Sequence, residues 1–167
     1  GAAPSGEAIS ALQNAINVEM VFYLYVVDEP ADLTTVVRIN ATTGVLTTVQ
    51  FVDTKNPVAL TAEKTGRFLY VVSPENNAVF VNGIDQATGQ LTNVSTSVLS
   101  VAAPDSVTID PTNRFLYTNH GAEDRVTRMV INQANGSLAE SGNAPRGNRP
   151  AAMTATHPAE RFAFAHE

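Results

Sequence analysis

Short apolar runs separated by polar breaks define this chain. In Phe68-Leu69-Tyr70-Val71-Val72 both alternating sets are apolar, Phe68, Tyr70 and Val72 on one side and Leu69 and Val71 on the other. A strand that is apolar on both faces is covered on both. Phe115-Leu116-Tyr117 has the same character. After the first run come a polar break at 73–77, a second strand at 78–84, the loop Asp85-Gln86-Ala87-Thr88-Gly89 and a return strand at 90–94. The glycine of that loop serves a hairpin that needs positive φ. Pro104 precedes Val107-Thr108-Ile109, and Asp110-Pro111-Thr112-Asn113 turns the chain into the next apolar run.

The pattern repeats about every 46 residues. Arg67-Phe68-Leu69-Tyr70 returns as Arg114-Phe115-Leu116-Tyr117 and as Arg161-Phe162-Ala163-Phe164, with a weaker first copy at Tyr23-Leu24-Tyr25. Thr43-Gly44, Thr88-Gly89 and Asn135-Gly136 keep step with it. A fixed period of about 40 to 50 residues built from short strands is the mark of β-propeller blades. The predicted fold class is therefore all-β: roughly three and a half four-stranded blades, with the ring incomplete within this chain. With blade strands lettered A to D from the inside outwards, the order reads B-C-D, A-B-C-D twice, then A-B. The B strands fall near 22–27, 67–72, 114–119 and 161–166. Propellers close with about four to eight blades, so further blades, or further copies of the chain, are expected to complete the ring through its open edges. Residues 1–21 lack the blade pattern and are read as an arm, with Ser5 placed to cap a helix carrying Ile9, Leu12, Ile16 and Met20; residues 22–167 are the blades.

The strand order assigns each loop to a face. Turns between A and B share one face with the glycine hairpins. Loops from B to C and from D to A gather on the other, which brings together Asp28, Ser73, His120, His166 and Glu167 with the approaches to the A strands near Asn56, Asp105 and Arg149. A site is expected where those loops converge on the channel. Asp105, His120 and His166 are the candidate ligand-binding residues, for a small molecule. Their spacing matches no metal motif, and neither a metal nor a cofactor is predicted. Ser73, Ser106 and Thr118 stand outside any Gly-x-Ser-x-Gly turn and read as loop and strand hydroxyls. Arg67, Arg114 and Arg161 repeat in register, which gives them a structural task. Asp85 and Asn132 are expected to bind local backbone amides at the hairpins.

Composition narrows the class of partner. Formal charge is -6, lysines stand only at 55 and 64, and no basic run exists, so a phosphate-tracking surface for nucleic acid is excluded. No apolar stretch reaches the roughly 20 residues of a membrane span. Cysteine is absent, which removes disulfides, thiolate metal sites and a cysteine nucleophile. Abundant Thr, Ser, Asn, Ala and Val with few lysines suggests an exported protein, extracellular or periplasmic. Asn40, Asn93 and Asn135 stand in N-x-S/T sequons.

The unit "Pro, apolar strand, Asp-Pro-x-x-Arg-Phe-Leu-Tyr, loop, strand, Ile-Asp-x-x-Thr-Gly-x-Leu" resembles the seven-bladed lactonase propellers, a family that includes propeller-type 6-phosphogluconolactonases and fungal carboxy-muconate lactonising enzymes. The resemblance rests on 56–91, 103–138 and 150–167. It implies a His before one innermost strand, an Arg before the next, and a Glu at the end of the following B strand. Glu167 matches the acid. The Arg and His positions after Pro150 read Ala151, Ala152 and Met153, with Arg149 the nearest cation, and the His position one blade earlier falls at Asp105. Lactone chemistry needs an acid or base at the ring oxygen and a cation for developing negative charge. Glu167 and Arg149 are thus the catalytic candidates. A non-catalytic recognition or assembly module is the favoured expectation; a lactone hydrolase completed by further sequence, and a structural subunit of an oligomer or filament, are the alternatives.

Overall fold

The computed structural model describes residues 21–145, together with the backbone of 152–156 and 163–166. Among these residues, thirteen strands form four antiparallel sheets. The first holds β1 (Val21–Asp28), β2 (Leu33–Asn40) and β3 (Leu46–Asp53). The second holds β4 (Ala59–Ala62), β5 (Phe68–Ser73), β6 (Ala78–Ile84) and β7 (Leu91–Val98). In the third, β8 (Ser106–Ile109), β9 (Phe115–His120), β10 (Arg125–Ile131) and β11 (Leu138–Pro145) repeat that order, and β12 (Ala152–Thr156) pairs with β13 (Ala163–His166) in the fourth. Every sheet runs in sequence order with antiparallel neighbours. The sequence of strands B-C-D, A-B-C-D, A-B-C-D, A-B is the one that the periodicity predicts. The proposed helical arm lies outside the described residues.

The repeats agree in detail beyond the strand order. Each outer strand pair carries a register shift at the same place, between Val36 and Val37, between Val81 and Asn82, and between Arg128 and Met129. Such bulges increase local twist. Each loop from B to C places one residue in the left-handed region, Asp32, Asn77 and Asp124, a conformation that Asn and Asp tolerate better than most side chains. At each outer hairpin the Gly44, Gly89 or Gly136 amide donates to the carbonyl four residues back, at 2.7–2.8 Å. The side chain at the start of the loop ties it further. Asp85 Oδ1 accepts from the amides of Ala87 and Thr88, Asn132 Oδ1 from Ala134, and Asn40 Oδ1 from Thr42 and Thr43.

Cores form between sheets. Tyr70, Val72, Val79 and Val81 of the second sheet meet Val107, Leu116, Met129 and Ile131 of the third, while Val36 of the first meets Leu69, Val71 and Leu91. A central sheet apolar on both sides, Leu69 and Val71 facing one way and Tyr70 and Val72 the other, is what two flanking blades require.

Candidate functional site

The loops from D to A and from B to C converge on one face, as the strand order dictates, and the described candidates there are engaged in holding loops. Asp105 sits one residue before β8. Its Oδ1 accepts from Asn119 Nδ2 at 2.7 Å and its Oδ2 from the Gly121 amide at 2.6 Å, while its own amide donates to the Asn119 carbonyl at 2.9 Å. His120, at the end of β9, is fully buried. Its Nδ1 meets the Ala102 carbonyl at 2.8 Å and its Nε2 meets Thr118 Oγ1 at 3.0 Å. A carbonyl only accepts, so Nδ1 carries the proton in that contact. Asp105 and His120 are therefore two ties of one network, which fastens the crossing from the second to the third blade onto the end of β9. Ala103, at φ 50°, makes the bend between them.

One blade earlier other residues tie the crossing, Asp32 from the loop of the preceding blade and Ser73 from the end of the following B strand. Asp32 accepts from the Asn56 amide at 2.8 Å and from Lys55 Nζ at 3.3 Å, and these bonds, the Asn56 amide first, hold its carboxyl below the usual range. Ser73 Oγ donates to the Lys55 carbonyl and accepts from the Asn76 amide, a loop role as expected from sequence. Gly121–Glu123 forms a single 3-10 turn. The side chains of Arg149, His166 and Glu167 lie outside the described residues, so the structure brings together only Asp105 and His120 of the predicted set.

The opposite face holds a cluster that the motifs do not reveal. Glu63, in the turn between β4 and β5, is nearly fully buried. Burial alone would raise its pKa, but hydrogen bonds from the Thr65 hydroxyl, the Arg67 amide, the Asn113 side chain and the Thr65 amide outweigh it and hold the carboxyl low. Asn113 also accepts from the Lys64 amide at 3.3 Å, so one side chain joins the turns of two blades. Asp110 occupies the place of Glu63 in the next blade and is likewise held low: burial raises it, and bonds from Thr112, Phe115 and Arg114 more than compensate. The signal for Asn113 lay in its register with Gly66, since both stand at positive φ. Arg67 has the structural task expected of it, donating from Nη2 to the Gln133 carbonyl at 3.1 Å and lying 5.2 Å from the Phe68 ring centre.

Blade boundaries share a further arrangement. The Tyr25 hydroxyl donates to the Gly89 carbonyl at 2.9 Å, and the Tyr70 hydroxyl to the Gly136 carbonyl at 3.1 Å. Two residues before each tyrosine, the Tyr23 and Phe68 rings lie directly on the same glycines. Burial first, with the Glu63 charge second, pushes the Tyr70 phenol far above its ordinary range, so it donates at any ordinary pH.

These features define successive blades of a β-propeller, fastened through their outer hairpins. The seven-bladed β-propeller lactonase family profile matches residues 20–155, and the chain belongs to that family. In sequence comparison with curated proteins, nothing matches. Among solved structures, a Bacteroides uniformis protein proposed to be a 6-phosphogluconolactonase shares 21% identity at TM-score 0.76, over 86% of this chain and 43% of that one. The periplasmic gluconolactonase of Pseudomonas aeruginosa shares 19% identity at TM-score 0.71, over 77% and 40%. A Lactobacillus plantarum protein shares 21% at TM-score 0.70, over 75% and 40%. The chain thus spans less than half the length of these structures, and at such identities the likeness is one of fold. Among the described residues, no helix is long and apolar enough to cross a membrane.

Proposed function

We propose that this chain serves a lactonase-family propeller as a non-catalytic recognition or assembly module: its blades supply ring surface and hold the loop face, and other blades complete the ring. One observation carries the reading. Asp105 and His120, the described residues nearest the family's catalytic positions, commit their polar atoms to the loop network. Among the described residues of this face, neither an acid–base group nor a cation is then left poised at the channel by these two positions. A binding role for the loop face is compatible with that network, because fixed loops hold their backbone groups in place. Export is part of the proposal on compositional grounds.

A second reading has its own support. The family and the names of two matched structures point to lactone hydrolysis, and Glu167 stands where the family has its acid. In that case Glu167 would handle the proton at the ring oxygen, and Arg149, with groups from further blades, would hold the negative charge that develops on the carbonyl oxygen. The two readings separate in a hydrolysis assay on the native particle with a panel of lactones, a phosphorylated sugar lactone first among them. The module reading expects no turnover above the buffer rate. Turnover that falls about 100-fold or more in Glu167→Gln, with folding unchanged, would replace it with the enzyme.

A further inference from the structure

We propose that Asn135 is a site of spontaneous deamidation, gated by the clasp between the second and third blades, and that the product can no longer close that clasp. The reaction joins the side-chain amide carbon of Asn135 to the backbone nitrogen of Gly136. That nitrogen gives up its proton, ammonia leaves from the side chain, and a cyclic succinimide remains. Water then opens the ring at one carbonyl or the other, giving aspartate or isoaspartate. Water is the only reagent consumed.

Comparison of the three outer hairpins singles this residue out. Just before the glycine they carry Thr43, Thr88 and Asn135. Thr43 Oγ1 and Thr88 Oγ1 each accept from the amide two residues on, at 3.3 and 3.4 Å, and Asn135 Oδ1 accepts from the Ser137 amide at 3.0 Å. A hydroxyl thus meets the same need in two repeats, and the third alone sets a side-chain amide beside glycine, whose missing side chain leaves its nitrogen open to approach. Ser137 Oγ adds a second bond to the same oxygen at 2.8 Å. Two donors on a carbonyl oxygen favour the negative charge that attack on its carbon would place there. Asn135 is exposed, so ammonia departs directly into water.

The electrophile is ready, whereas the nucleophile is locked. The Gly136 amide donates to the Asn132 carbonyl at 2.8 Å, and the Gly136 carbonyl accepts from the Tyr70 hydroxyl at 3.1 Å. The Phe68 ring lies 2.6 Å from where a Cβ on Gly136 would be. While these contacts hold, the amide keeps its proton and the glycine cannot turn toward the side chain. Local opening of the boundary releases both constraints, and the Ser137 bonds, being two residues away, do not depend on the neighbouring blade. Isoaspartate then carries the chain through the former side chain, which adds one backbone atom and a negative charge. The Gly136 carbonyl and Cα no longer meet Tyr70 and Phe68 in register. Asn82-Gly83, the other Asn-Gly pair of the sequence, is the internal reference. Asn82 is buried within β6, paired with Leu69 on one side and Asn93 on the other, so its release requires the sheet itself to unfold.

The test incubates the native particle in mildly alkaline buffer and follows Asn135 and Asn82 by peptide mass spectrometry, with the urea-unfolded chain as the ungated limit. Asn135 should convert more slowly than in urea, and Asn82 more slowly still. Phe68→Ala should speed Asn135 about 10-fold or more and leave Asn82 unchanged. Equal Asn135 rates in wild type and Phe68→Ala, or in native and urea-unfolded chain, overturn the gating. If Phe68→Ala unfolds the sheet, Asn82 quickens along with Asn135, and Tyr70→Phe, which removes one hydroxyl, decides instead. Faster conversion of Asn135 alone is then expected, and an unchanged rate overturns the proposal. Asn135→Thr, the residue of the other two hairpins, should keep the thermal midpoint near that of wild type. The converted fraction, separated by its added charge, should melt below both, and an equal midpoint overturns the loss of the clasp. Neither lactone turnover nor particle size enters these readings, so this proposal and the module reading can fail separately.

Discussion

Gly136→Val lowers the stability of the folded protein by about 3 kcal/mol or more, measured by urea denaturation. The first cause is local. Gly136 stands at φ +74°, a conformation that strains a β-branched residue and leaves glycine unstrained. The second is the neighbour, since any Cβ meets the Phe68 ring at 2.6 Å. That ring cannot withdraw freely, because it packs against the core and lies under the Arg67 guanidinium. Gly83→Ala is the control: its backbone is ordinary and its nearest neighbour, a Val94 methyl, is at 3.4 Å, so its cost should stay near ~1 kcal/mol or below. Equal costs for the two variants would mean that the aromatic-on-glycine contact does not hold the blades together.

Glu63→Gln costs about 2 kcal/mol or more at neutral pH and flattens the acid limb of the stability curve. The wild-type carboxylate accepts from Thr65, Arg67 and Asn113, whereas the amide must turn a donor toward one of these donors. The sign of the pH effect follows from the shift. The folded pKa is held below the ordinary carboxylate value, so the stabilisation from Glu63 is complete above that value, near ~4.3, and is lost as pH falls through the folded pKa. Wild type should therefore lose stability faster than Glu63→Gln on acidification. A constant gap between the two down to the acid transition would show that the charge contributes nothing.

Much of this architecture was open to a reading of the chain. Leu69 and Val71 on one side of a strand, with Tyr70 and Val72 on the other, require cover on both, and the period gave the order of the strands. The contacts that join blades were not legible. Tyr25 and Gly89, or Tyr70 and Gly136, are 64 and 66 residues apart, and nothing local in either sequence names its partner. Glu63 was hidden for another reason. The turn at Ala62-Glu63-Lys64-Thr65-Gly66 does the work of Asp110-Pro111-Thr112-Asn113 without its letters, so only superposed repeats reveal that both carboxylates bind equivalent amides. At the loop face, sequence placed Asp105 and His120 on the correct side of the sheets, but residue type cannot say whether a histidine faces a ligand or a carbonyl. The Ala102 carbonyl and the Thr118 hydroxyl decide that for His120. Of the candidates whose side chains lie outside the described residues, Arg149 and Glu167 rest on the sequence resemblance and His166 on the strand order alone.

Molar mass of the native particle by light scattering, with the intact mass of its chains, tests the central claim most directly. An assembly module whose ring other blades complete predicts a particle well above the 17.7 kDa of this chain, whether through a longer polypeptide or through partner chains. A monodisperse 17.7 kDa particle that unfolds in one cooperative transition would contradict it, because these blades would then need no partner.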